Sequence, residues 1–308
     1  MTLFAALAFV SPTLWVLVLT VATCGLLLRS WRFVEGTTLV GPWLWTQASL
    51  CVIGGTQVAI ALAHGGALGG SGNDSANWEA AVLFAAASSS FCPLISLLGA
   101  KRPQDRGWHF VVLSLWAILV LPVAESLVLR HGQMPDVQGA RSWFMLILIG
   151  LGVINTFPTR YSFPGLLFGG GQLLMLADSL PIVRELFDAS PMVAGFSGCA
   201  ISVMMAARLA GRRTQAKGSL DVVWRDFRDS FGLLWGLRIQ EQINITARSS
   251  KWPLRLRWHG FVDERGEPLD FGALPEETRR PLHQATENLL RRFVSSDWIA
   301  ARMGKAID

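Results

Sequence analysis

The chain has 308 residues, 51% of them apolar and 16% charged, with a net charge of +5. These averages hide a division: residues 1–211 hold ten Lys/Arg and nine Asp/Glu, whereas 212–308 hold seventeen and thirteen in under half the length. The first part thus excludes an ordinary soluble domain, because long runs almost free of charge are what a bilayer core of about 30 Å selects.

Seven apolar stretches follow in order. The first, about Leu3 to Leu28, is too long for a signal-peptide core and has no basic start, so it reads as an uncleaved helix. Arg29, Arg32 and a Gly41-Pro42 breaker lead to the second, about Trp43 to Ala63. After His64 and a loop free of Lys and Arg comes the third, about Trp78 to Leu98, where Ser88 to Ser90 and Cys92-Pro93 allow a kink. The basic connector GAKRPQDR precedes the fourth, about Trp108 to Leu129. The fifth (about Trp143 to Phe157) and sixth (about Phe163 to Leu180) are short, and they could also form one re-entrant pair. The seventh, Pro191 to Leu209, ends in a basic linker over 212–218 with Arg212, Arg213 and Lys217 directly after Arg208. With the N-terminus outside, ten basic residues fall on the inner side and three, Arg130, Arg141 and Arg184, on the outer, which is the positive-inside pattern.

From 219 onward the chain reads as a folded cytoplasmic tail. Ser219 caps a helix with Asp221 in its first turn, and Leu220, Val223, Trp224, Phe227, Phe231 and Leu234 keep a helical spacing. After Trp235 that stripe turns polar at Arg238, Glu241 and Gln242, which suggests an Arg238–Glu241 pair and a helix that packs on one surface early and another late. In KWPLRLRWHGF, Leu254 and Leu256 alternate with Arg255 and Arg257, which predicts a strand with one basic face. A second strand is expected near Pro268 to Phe271, a helix over about Pro281 to Val294 bearing Leu282, Ala285, Leu289 and Phe293 on one side, and a short turn capped at Ser296. The expected fold is a membrane all-α protein: a seven-helix bundle over 1–211, N-terminus out, and a small α+β helix–hairpin–helix tail over 219–308.

Few residues carry chemistry. Glu125 and Asp178 are acidic groups within predicted spans, a position that points to function by default. His64 and His131 lie at the same outer level, so the four form a candidate outward site. The plainer reading is that each reaches the headgroup layer. Gly169, Gly170 and Gly171 beside Gln172, with Asn155 upstream, offer either a helix break that binds substrate or ions or close helix packing, and packing is favoured. Arg255 and Arg257 could meet lipid phosphate or an acidic partner. Cys24, Cys51, Cys92 and Cys199 all fall in spans with no paired spacing, so they read as packing residues rather than disulfides or metal ligands. The thirteen Trp read partly as interface anchors.

No phosphate-binding loop, GxSxG, HExxH or paired-Cys motif is present, so no catalytic residue, metal or cofactor follows. The favoured reading is a non-catalytic scaffold, assembly or signal-coupling component of a bacterial inner membrane. Its expected partners are the bilayer, anionic headgroups at the basic linker, and a protein or second copy at the tail, with no nucleic acid. A small secondary transporter with an interrupted sixth helix, and a membrane-embedded enzyme or outer-face metal or proton site, are the alternatives.

Overall fold

The computed structural model describes residues 12–65, 73–128, 139–180, 183, 191–211 and 219–303. Helices α1 (Pro12–Val34), α2 (Val40–Gly65), α3 (Asn73–Ser88), α4 (Cys92–Leu98), α5 (Asp105–Val128), α6 (Ala140–Thr156), α7 (Ser162–Met175) and α8 (Met192–Ala210) build a bundle. The tail holds α9 (Leu220–Ser249), β1 (Leu254–Arg257), β2 (Gly260–Asp263), α10 (Glu276–Leu290) and α11 (Ser296–Met303).

Five segments among the described residues are long and apolar enough to cross a membrane: Pro12–Val34, Val40–His64, Asn77–Leu98, Gly107–Glu125 and Met192–Ala210. The protein is an integral membrane protein. The helices expected as spans five and six are shorter, with 17 residues in α6 and 14 in α7. They measure about 26 and 21 Å at 1.5 Å per residue, against a bilayer core of about 30 Å. Gly41-Pro42 does not break the chain. It forms the first turn of α2, where proline's missing N–H has no helical acceptor to lose.

The third segment bends at a 3₁₀ turn over Ser89–Phe91, just before Pro93. Pro93 cannot donate to the Ser89 carbonyl, and Ser49 Oγ on α2 does so instead at 2.6 Å. Gln172 Nε2 on α7 donates to the Ser90 carbonyl at 3.2 Å and to its Oγ at 3.1 Å. The kink is thus tied to two neighbouring helices. Tryptophan works the same way: Trp15 donates to Ser197 Oγ, Trp43 to the Leu27 carbonyl, Trp45 to His109 Nδ1 and Trp116 to the Ala85 carbonyl. Buried indoles need such acceptors, so these side chains lock helix to helix, a role beyond the interface anchoring expected of them.

Helix α7 stays α-helical through Gly169, Gly170 and Gly171, which corrects the reading of a break there. Gly169 and Gly171 serve close approach instead, to α6 and α8. A Cβ at Gly171 would stand 2.6 Å from the Gly195 carbonyl and 2.7 Å from Cys199 Sγ on α8. The helical path of α7 ends after Met175, and a 3₁₀ turn over Ala177–Ser179 follows.

In the tail, Ser219 Oγ accepts the Asp221 N–H and caps α9. Gly232 has φ +79°, a left-handed value that favours glycine, and it divides α9 into two helical halves. Leu220, Val223, Trp224, Phe227 and Phe231 are buried before it, and Gly236, Ile239, Ile243 and Ala247 after it. The apolar stripe therefore changes phase at the kink, which is why Arg238 and Glu241 fall outward. Glu241 pairs with Arg248 at 3.0 Å and Arg238 lies over the Trp235 ring, in place of the expected Arg238–Glu241 pair. The hairpin closes sooner than expected, with β1 and β2 joined through Trp258-His259 and Leu256 paired with Phe261. Pro268 adds only a single bridge to Val262. Leu254 and Leu256 are buried while Arg255 and Arg257 are exposed. Helix α10 starts at Glu276 and buries Leu282, Thr286 and Leu290. Phe293 lies beyond its end, within 5.5 Å of the ring centroids of Phe227, Phe231 and Trp235. Ser295, not Ser296, caps α11 by accepting the Trp298 N–H at 3.2 Å.

Candidate functional site

The residues expected to converge at the outer level form separate pairs. His64 Nε2 lies 2.7 Å from Glu79 Oε1, and Arg141 lies 3.8 Å from Glu125 with both side chains nearly half exposed. Asp178 is exposed, and His131 lies outside the described residues. Among the described residues no three His, Cys, Asp or Glu side chains gather as a metal site would require.

The polar chemistry collects at the opposite end, where the tail meets the bundle. Three connectors there, 35–39, 99–104 and 157–161, contact the tail directly. Thr37 bridges Val294. The Thr38 N–H donates to the Phe293 carbonyl at 2.8 Å, and the Arg102 N–H to the Arg292 carbonyl at 2.8 Å. Trp235 Nε1 donates to the Leu97 carbonyl at 2.9 Å, and Trp258 Nε1 to the Pro158 carbonyl at 3.0 Å. Ala100 belongs to the tail's own apolar core, with Leu39 and Leu97 packed against it.

Two arrangements stand out at this junction. The first is a helix cap supplied from another helix. Asn155, on α6 and only 2% exposed, accepts the Leu234 N–H through Oδ1 at 3.0 Å. Leu234 stands in the first turn of the second half of α9, where N–H groups have no intrahelical partner. A bundle side chain thus performs the N-cap of a tail helix. Gly232 is what lets it in, since a Cβ there would lie 2.6 Å from both Cγ and Oδ1 of Asn155.

The second is a buried ionic network of three arginines and two aspartates. Arg228 donates from Nε and Nη2 to Asp229 Oδ1 at 2.9 and 2.7 Å and from Nη1 to the Trp258 carbonyl at 2.6 Å. Arg302 Nε donates to Asp226 Oδ2 at 2.8 Å. Arg160, from the α6–α7 connector, sits between the two carboxylates at the longer distances of 3.8 Å to Asp226 and 3.9 Å to Asp229. Its Nε is buried without a hydrogen-bond partner. Arg160 also lies over the ring of Tyr161. Burial pushes the Tyr161 hydroxyl above its usual pKa, against the opposing pull of the Arg160 charge.

No family model, curated protein or solved structure matches this chain.

A cavity of about 360 Å³ rises from this junction into the bundle between α1, α2, α4, α6, α7 and α8. Trp43, Leu94, Phe168 and Val203 give it an apolar wall, Gln172 and Ser202 stand deep inside, and Asn155, Tyr161, Asp229 and Gly232 form the tail end. Its size and lining match a small-molecule site. Asn155 and Gln172 were singled out in the sequence and do meet here. Arg160, Asp226, Arg228, Asp229 and Arg302 were not singled out. In WRDFRDSF the charges look like the wet face of an amphipathic helix, yet tertiary packing, much of it within the tail, buries them: Asp226 is 5% exposed and Arg228 8%.

Proposed function

We propose that the protein is a signal-coupling component of a bacterial cytoplasmic membrane. In this reading the chain crosses the membrane seven times, places its N-terminus outside, and holds its tail in the cytoplasm against the inner end of the bundle. One observation carries the coupling: the Asn155 side chain caps the second half of α9. A shift of α6 that withdraws this acceptor leaves a tail helix uncapped, so a change inside the membrane alters the far half of α9. Supporting the sidedness, the connectors bearing Lys101, Arg102 and Arg160 share one end with the tail, as the positive-inside pattern asks. The exposed Arg255, Arg257 and Arg238 offer a surface to an acidic partner or a second copy, and the charge of the basic linker suits anionic headgroups.

Two experiments test this. Phosphatase and fluorescent-protein fusions inserted between α2 and α3 report that end outside, and fusions at residue 308 report it inside; the reverse pattern refutes the orientation. Affinity purification in mild detergent, comparing the wild-type chain with Asn155→Ala, yields a co-purifying partner whose recovery depends on the cap. Recovery of a lone chain in both refutes the coupling role. A second reading, transport of an apolar solute, is favoured by the cavity that reaches Gln172.

A further inference from the structure

We propose that the junction cavity binds an uncharged lipid alcohol, a single alkyl or isoprenoid body whose one hydroxyl donates to Gln172 Oε1. This assignment rests on the reading of the cavity as the place of an apolar solute, and it names the class of that solute. It concerns binding alone, and needs neither passage across the membrane nor the coupling role of Asn155.

Charge is the first filter. Asp229 is the one charged side chain in the lining, and its carboxylate is already engaged. Oδ1 accepts two N–H groups of Arg228, and Arg160 lies 3.9 Å from Oδ2. A cationic ligand would meet a carboxylate that these guanidinium groups already neutralise. An anionic one would find no cation in the lining to receive it. Burying an unpaired charge costs far more than burying a hydrogen-bonded neutral group, so the ligand carries no charge.

Hydrogen bonding is the second filter. Ser30, Thr46, Thr156 and Ser202 line the cavity, and each donates its hydroxyl hydrogen to a helix carbonyl. What they have left is lone pairs. Gln172 adds a further acceptor. Its Nε2 donates to the Ser90 carbonyl at 3.2 Å, and because a carbonyl cannot donate, that bond fixes which end of the amide is nitrogen. Oε1 is left to the cavity, without a hydrogen-bond partner among the described residues, on a side chain only 5% exposed. A buried acceptor without a donor is costly. Ketones, ethers and esters bring only further acceptors, whereas a hydroxyl brings the missing O–H.

The walls set the rest of the molecule. Trp43, Leu94, Phe168 and Val203 gain dispersion contacts from an alkyl or isoprenoid chain. The volume of about 360 Å³ lies near the low end of the about 300–1,000 Å³ typical of small-molecule sites, which suits one chain rather than a two-chain lipid. Such an alcohol partitions into the bilayer and so arrives at high local concentration.

The test uses the full chain in nanodiscs, in alkaline buffer, with three probes that share one diazirine-bearing chain: dodecanol, its methyl ether and dodecanoic acid. Labelling of peptides holding Phe168 and Val203 is divided by labelling at Phe110 and Ile118 on α5, which are 76% and 62% exposed, so that differences in partition cancel. The alcohol is expected to exceed both the ether and the ionised acid by about fivefold or more. Leu94→Trp, which fills space without touching the Gln172 hydrogen bonds, should cut the alcohol's labelling by about fivefold or more. Gln172→Met, of similar length but with only a weak sulfur acceptor, should remove the preference of alcohol over ether. The midpoint on heating checks that each variant folds, and the wild-type comparison of alcohol with ether decides the matter if Gln172→Met does not. Equal labelling by alcohol and ether overturns the hydroxyl contact, and acid labelling at the level of the alcohol overturns the uncharged class. Labelling indifferent to Leu94→Trp, or confined to α5, overturns the cavity as the location. A folded Gln172→Met that keeps the preference overturns Gln172 as the acceptor. Absence of transport, measured separately, refutes the transport reading and leaves this site standing.

Discussion

Removing the Asn155 side chain is the cleanest way to question the junction. In Asn155→Ala the Leu234 N–H loses the acceptor it has at 3.0 Å, and loss of an N-cap costs about 0.5–2 kcal/mol. A loss of 1–2 kcal/mol raises the open population about 5- to 30-fold. Hydrogen exchange in nanodiscs should therefore speed up by about that factor over 233–243 while 220–231, held by the Phe227–Phe231–Phe293 cluster, stays protected. Gly232→Ala supplies the complementary perturbation. It forces a Cβ onto φ +79° at a cost of about 1–2 kcal/mol, and it drives that Cβ into the Asn155 amide. In the double variant the collision disappears, so the combined cost should fall short of the sum by about 1 kcal/mol or more. Strict additivity, or unchanged exchange in Asn155→Ala, would refute the idea that this side chain holds the kink.

Other predictions address separate features. Asp226→Asn leaves Arg160 and Arg302 without a shared carboxylate in a site where both the Asp226 and the Arg302 side chains are largely buried. It should destabilise the tail by about 3 kcal/mol, read from denaturant midpoints. Gly171→Ala should cost about 1–3 kcal/mol by overpacking against Gly195 and Cys199, seen as a lower midpoint on heating in detergent. Gly170→Ala, which meets nothing within 4 Å, should stabilise the protein by up to about 1 kcal/mol, seen as a higher midpoint on heating. His283 on α10 is held below its usual pKa by burial first and the Arg279 charge second. Its neutral form is the one that folds, so its stability is full above about pH 6.5. That contribution is lost as pH falls through the lower folded value. Thermal unfolding from pH 7.5 to 5 should show this decline, and His283→Gln should flatten it.

What the sequence made legible was local. Ser219 as a cap, the stripe from Leu220 to Phe231, and the buried alternation of Leu254 and Leu256 all follow from spacing within a few residues. Glycine inside a helical pattern carries no sign of its own φ, so the phase change at Gly232 could be noticed in the outward turn of Arg238 without being assigned a cause. The Trp258-His259 loop lacks the usual Asn-Gly hairpin signal, so the early second strand has no local mark in the sequence. The cap on Leu234 spans 79 residues, and the pairing of Arg302 with Asp226 spans 76. Such contacts have no periodic trace. Equal depth in a membrane does not imply nearness around the bundle: among the described residues His64 meets Glu79 and Glu125 meets Arg141. The basic linker, 212–218, lies outside the described residues. With direct hydrogen bonds from Leu234, Trp235 and Trp258 to the bundle, lengthening it between Arg213 and Gly218 should leave the tail docked.

The presence of Ala100, Leu97 and Leu39 in the tail's core sets an order of events during synthesis. The ribosome makes the connectors carrying these residues long before it reaches Phe293, and Gly36 to Thr38 already waits as a short template when 292–295 emerges to pair with it. The last third of the polypeptide completes itself on a platform laid down first. Severed from that platform, it would show water an apolar hollow where Ala100 belongs, so the bundle acts as the tail's built-in folding partner.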